Sequence, residues 1–124
     1  VRVFEKSESS TNVNVTFQVD MKNEMVSGEG VWLSGGNISS GQPGGLQMQP
    51  VADTTIWEIT LTLPPYSSYN YKYRNGHYPD TWSGGWESVP DECGEGSYND
   101  RALLVGNSDT TLSVVCFNEC TACD

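Results

Sequence analysis

Between residues 13 and 19, apolar Val13, Val15, Phe17 and Val19 alternate with polar Asn14, Thr16 and Gln18. A period of two places the apolar row on one face of a strand and the polar row on the other. The alternation returns over residues 56–63, where Trp57, Ile59, Leu61 and Leu63 oppose Glu58, Thr60 and Thr62 until Pro64 and Pro65 stop the strand. Residues 69–74 repeat it, with Tyr69, Tyr71 and Tyr73 facing the core and Asn70, Lys72 and Arg74 facing away, before an Asn75-Gly76 turn signal. Shorter runs follow at residues 30–34, with Val31 and Leu33 in one phase and Trp32 in the other, and at residues 46–48, ended by Pro50. Two more lie at residues 102–105 and 112–117. Residues 35–45 (GGNISSGQPGG) carry too much glycine for regular structure and predict a flexible surface loop. No stretch has helical periodicity. Roughly seven or eight short antiparallel strands separated by turn residues predict an all-β, immunoglobulin-like β-sandwich.

At 124 residues the chain accommodates one domain with a real core. Residues 1–12, with the polar run EKSESSTN, predict a linker or flexible leader, and residues 13–124 the sandwich. A net charge of −10 with few basic residues tells against nucleic acid and anionic membranes, which need a basic stripe. No apolar run approaches membrane-spanning length. The expectation is a monomeric, mature or excised segment.

Cys93, Cys116, Cys120 and Cys123 all lie in the last third of the chain. Only one CxxC is present and the single histidine, His77, lies upstream, so the spacing does not suit zinc. Disulfides fit better and imply a secreted, extracellular setting. Three pairings are open. The one expected here joins Cys93 to Cys116 and Cys120 to Cys123, pinning the acidic loop to the last strand.

Residues 69–101 concentrate the remaining chemistry. They hold Trp82, Trp86, Tyr78 and Tyr98 outside any core pattern, which reads as a binding surface. A pyranose ring presents an apolar C–H face and a rim of hydroxyls, so its binder needs flat aromatic area and a few donors and acceptors. Trp86 and Trp82 supply the first; Lys72, Glu87, Asn99 and Arg101 supply the second. Trp57 and the strand tyrosines read as core, and Trp32 either packs under a loop or forms a second surface. The acidic residues 91–95 lack the spacing of a calcium loop and read as solvated. His77 reads as a loop residue. Asp80 and Glu87 invite a glycosidase reading, but surface carboxylates in a domain of this size lack the desolvation an acid catalyst needs. The chain is expected to be a non-enzyme without metal or other cofactor.

The run IWEITLTLPPYSSYNYKYRNG, then WESVP, then NDRALLV, resembles the starch-binding domain family of carbohydrate-binding modules, along nearly the whole length from Val13 to Phe117. The resemblance implies that Trp86 stacks on sugar, that Lys72 is the site lysine, and that Glu87 and Asn99 are its neighbours. Family members usually carry a second tryptophan in the loop that here reads Gly36-Asn37-Ile38-Ser39-Ser40, without an aromatic. Trp82 or Tyr78 must then supply the second platform, or the ligand is not a starch helix. The implied function is noncatalytic binding of a polysaccharide, a starch-type α-glucan or related glucan, tethering a catalytic domain of the same parent chain. β-1,3-Glucan (laminarin-type) binding and a protein-interaction or adhesion domain are the alternatives.

Overall fold

A computed structural model describes residues 11–124, so all but the last two residues of the expected leader lie outside the described part. Nine strand segments form two sheets among the described residues: β1 (Val13–Asp20), β2 (Val31–Ser34), β3 (Leu46–Gln47), β4 (Gln49–Pro50), β5 (Ile56–Leu63), β6 (Ser68–Asn75), β7 (Arg101–Leu104), β8 (Thr110–Thr111) and β9 (Val115–Cys116). One sheet has the order β4-β5-β1-β8, with β9 also on β1, and the other β3-β2-β6-β7. The expected all-β sandwich is the observed fold.

The alternating rows do what their period dictates. Val15, Phe17 and Val19 of β1 are fully buried and face Val31, Leu33, Tyr71 and Tyr73 of the second sheet. Phe17 meets Tyr71 edge-on, with centroids 5.1 Å apart and planes at 87°. Each such apolar side chain taken from water contributes about 1.5–3 kcal/mol. The polar row of the first sheet pairs across strands instead, as in the 2.7 Å bond between the Thr16 and Thr60 hydroxyls.

Two features depart from simple antiparallel pairing. The short run at residues 46–50 changes sheets at fully buried Met48: β3 pairs with β2, and β4 with β5. Of the strand expected over residues 112–117 only β9 forms, and β8 lies just before that range. β8 and β9 both run parallel to β1, with Thr110 opposite Val15 and Val115 opposite Val19.

Candidate functional site

The outer face of β6 organises the site. Asn70, Lys72 and Arg74 point away from the core as their phase requires, yet Arg74 is completely buried rather than solvated. Residues 78–86 fold over it. Its Nε donates to the Gly84 carbonyl at 2.7 Å, Nη1 to Pro43 at 2.6 Å and Tyr78 at 3.4 Å, and Nη2 to Thr81 at 3.1 Å and Ser83 at 2.9 Å. All five guanidinium donors thus meet backbone carbonyls, and no carboxylate is among their partners. Burial lowers its proton affinity below the ordinary arginine value, against a smaller opposing influence of Tyr78. The guanidinium lies over the Trp86 ring, 4.0 Å from its centroid, and over the Tyr78 ring at 4.7 Å. A cation against an indole face is attracted by the ring quadrupole, so Arg74 fixes the loop path and the Trp86 plane together.

Above this support lies a groove of about 670 Å³ lined by Trp82, Trp86, Tyr98, Lys72, Asp100 and the glycines 35, 36 and 41. Trp82 and Trp86 lie nearly parallel, with centroids 6.3 Å apart and planes at 9°. The Trp86 Nε1–H donates to the Trp82 carbonyl at 2.7 Å, which fixes one tryptophan by the other. Trp82 is 53% exposed. Gly36 also lines the groove, at φ 47° and so close to β6 that a Cβ would lie 2.1 Å from the Asn70 carbonyl oxygen. The loop expected to be flexible is instead anchored: Asn37 donates to Ser68 O at 3.0 Å and accepts from Asn70 N at 2.8 Å, and the Ser34 hydroxyl donates to Pro43 O at 2.9 Å. Lys72 Nζ donates to the Tyr98 carbonyl at 2.5 Å and lies 3.4 Å from Asp100.

Of the expected site residues, Trp82, Trp86 and Lys72 line the groove, while the other four serve beneath or behind it. Glu87 and Arg101, expected at the ligand's polar edge, are buried against one another. Arg101 donates to Glu87 through Nε at 2.8 Å and Nη2 at 2.7 Å, and the same carboxylate accepts from Tyr73 N at 2.9 Å and Asn118 N at 3.2 Å. Burial acts to lower the Arg101 pKa, but the hydrogen bond and charge of Glu87 outweigh it and hold the guanidinium above its ordinary value. Burial pushes the neighbouring Tyr73 phenol well up, as does the charge of Glu87. The Asn99 amide is turned to the Val89 carbonyl. Tyr78 packs under the turn, where a Cβ on Gly85 would come within 2.7 Å of its ring.

The disulfides are Cys93–Cys120 and Cys116–Cys123, which corrects the expected pairing. After β9 the chain reverses at Asn118, φ 74°, and Cys116 N bonds Thr121 O at 2.8 Å. The reversal folds Cys123 onto Cys116 and turns Cys120 toward Cys93. Asn118 Oδ1 also accepts from Ser88 N at 2.7 Å, tying the tail to the segment that bears Trp86. Trp32 packs under a loop: His77 stacks on it with centroids 3.8 Å apart and planes at 5°, and its indole N–H donates to Glu29 O at 2.9 Å. Among the described residues, no cluster of three or more His, Cys, Asp or Glu side chains could hold a metal.

Sequence reasoning did not place Arg74, Asp100 or the three glycines in the site, nor assign Tyr98 a contact. The available signals were an arginine followed by a glycine-rich turn that could cover it, and a tyrosine outside every apolar row.

No protein-family model matches the chain, and no curated protein matches it. Among solved structures it is similar to the glycoside hydrolase family 15 glucoamylase from Hypocrea jecorina, with a TM-score of 0.56 and 21% identity. The match covers 82% of this chain and 17% of that one, so the chain shares the fold of a small part of that protein.

Proposed function

We propose that this chain is a noncatalytic polysaccharide-binding module that stacks a neutral glucan on Trp82 and Trp86. The observation that carries the reading is the pair of nearly parallel indoles lining one groove, fixed to each other and backed by Arg74. Flat apolar area with a polar floor is the complement of a pyranose face and its hydroxyls. The acids weighed for a glycosidase suit binding better than hydrolysis: Glu87 is buried on Arg101 and Asp80 is exposed, while Asp100 in the groove is paired with Lys72. Both disulfides suit a secreted protein. Likeness to a small part of a glycoside hydrolase suits an accessory module that tethers a catalytic domain of the same parent chain and so raises its local concentration.

Affinity electrophoresis against amylopectin, laminarin and an unrelated polymer tests the reading. Retardation in amylopectin is the expected result; retardation in laminarin alone moves the ligand to β-1,3-glucan. Trp86→Ala should lose roughly 2 kcal/mol or more, which abolishes detectable retention on a weak binder. Trp82→Ala should lose a comparable amount as the second platform. No retardation in any glucan, with no change in tryptophan emission, removes the reading and leaves a protein-interaction surface.

A further inference from the structure

Building on the glycan reading, we propose that Tyr98 is a third aromatic contact of the groove and that Lys72 is the strut that holds it there. A concave, three-aromatic site then takes a single dispersed glycan chain and not the flat face of a crystalline polysaccharide.

Tyr98 is 79% exposed, yet the loop that carries it is tied at every side. Glu95 and Asp100 exchange backbone hydrogen bonds of 2.8 and 2.9 Å, closing residues 96–99 into a tight turn. Asn99 sits at φ 54° with its amide on Val89 O, and Gly94 lies so close beneath it that a Cβ would be 2.2 Å from Asn99 Oδ1. The Cys93–Cys120 disulfide fixes the loop's base to the tail. An exposed tyrosine on a fixed loop, lining the same groove as two tryptophans, is a contact whose backbone is positioned before the ligand arrives.

Lys72 belongs to this support. Its ammonium donates to the Tyr98 carbonyl at 2.5 Å and faces the Asp100 carboxylate at 3.4 Å, and its side chain is only 16% exposed. A lysine engaged on the backbone of the aromatic residue positions that residue before it can offer hydrogens to a sugar hydroxyl. The ligand class follows from shape. A crystalline face needs a flat, protruding platform, whereas these rings line a depression that also takes in backbone at Gly35, Gly36 and Gly41.

Titration calorimetry of the intact chain with a soluble linear gluco-oligosaccharide, of the linkage that retards it in electrophoresis, tests the proposal. Tyr98→Ala should weaken binding by about tenfold with an unchanged melting temperature, and Tyr98→Phe should restore it. Lys72→Met should weaken binding to a similar degree, and the double variant should be no weaker than Tyr98→Ala alone, as expected of residues acting through one contact. Tyr98→Ala binding within about twofold of wild type, while Trp86→Ala loses the ligand, overturns the role of Tyr98 and leaves the glycan reading standing. Losses that multiply in the double variant overturn the strut and make Lys72 a direct contact. Retention on a crystalline polymer without affinity for the soluble chain overturns the ligand class. A wild-type chain that binds no glycan overturns both readings together.

Discussion

Arg74 sits in the polar row of β6, where the alternation of the sequence places it, and its phase says nothing of what lies above it. Residues 78–86 return to cover it, and its planar fork satisfies carbonyls that the turn would otherwise bury unpaired. A single arginine in a polar row looks solvated because period two distinguishes two faces of a sheet but not a loop that later roofs one of them. Arg74→Met strands those acceptors and removes the cation from the Trp86 face. It should destabilise the fold by about 3 kcal/mol or more, read by urea denaturation, and shift the tryptophan emission. Arg74→Lys keeps the charge but not the five-donor fork, so it should recover only part of the loss. Full recovery by lysine would show that charge alone, without the fork, holds the turn. The burial of Glu87 has a related cause. Its neighbour Trp86 is a groove residue, but one step along an extended chain points to the opposite side, where Arg101 waits.

The long strands were legible as elements because their alternation is strict and prolines or turn residues bound them. The short ones were less so. Met48 changes sheets and β9 joins β1 in parallel, and neither event leaves a local signature, since long-range register is set by partners distant in sequence. The same distinction separates degrees of burial. Trp57 is in phase with Ile59 and Leu61 as expected, but β5 packs only partly against the smaller second sheet, and Trp57 is half-buried beside Gly30. Truncation there removes fewer packed contacts than at Phe17, which is completely enclosed. Phe17→Ala should cost about 3–5 kcal/mol, and Trp57→Ala only about 2–3 kcal/mol because its site is already open to water. Chemical denaturation of the two variants decides it, and equal losses would mean that the β5 edge is closed as tightly as the centre of the sandwich.

Across the whole molecule, the groove brings one distant segment, the turn after β2, onto a continuous stretch made of the outer face of β6, residues 78–86 and residues 91–100. The tail joins the last two: Asn118 bonds Ser88 N and the Glu87 carboxylate accepts from Asn118 N, while Cys120 holds Cys93. Such a clamp cannot be read from cysteine spacing, because four cysteines allow three pairings and the choice here follows from the reversal at Asn118. In the chain-entropy picture the Cys93–Cys120 link, separation 27, contributes roughly 3–4 kcal/mol and the Cys116–Cys123 link, separation 7, about 2–3 kcal/mol. Replacing Cys93 and Cys120 by serine should therefore lower stability more than replacing the other pair, and should also loosen the Tyr98 loop. The pairing itself has a sharper test. Cleavage of the unreduced protein after Arg101 and after Glu119 separates Cys93, Cys116 and the Cys120–Cys123 segment onto different peptides. With Cys93 on Cys120 and Cys116 on Cys123, the disulfides keep all of these peptides in one covalent unit, which tandem mass spectrometry can assign link by link. Had Cys120 closed on Cys123, residues 120–124 would come away free. Their release without reductant would break the clamp and, with it, the account of how the groove is held.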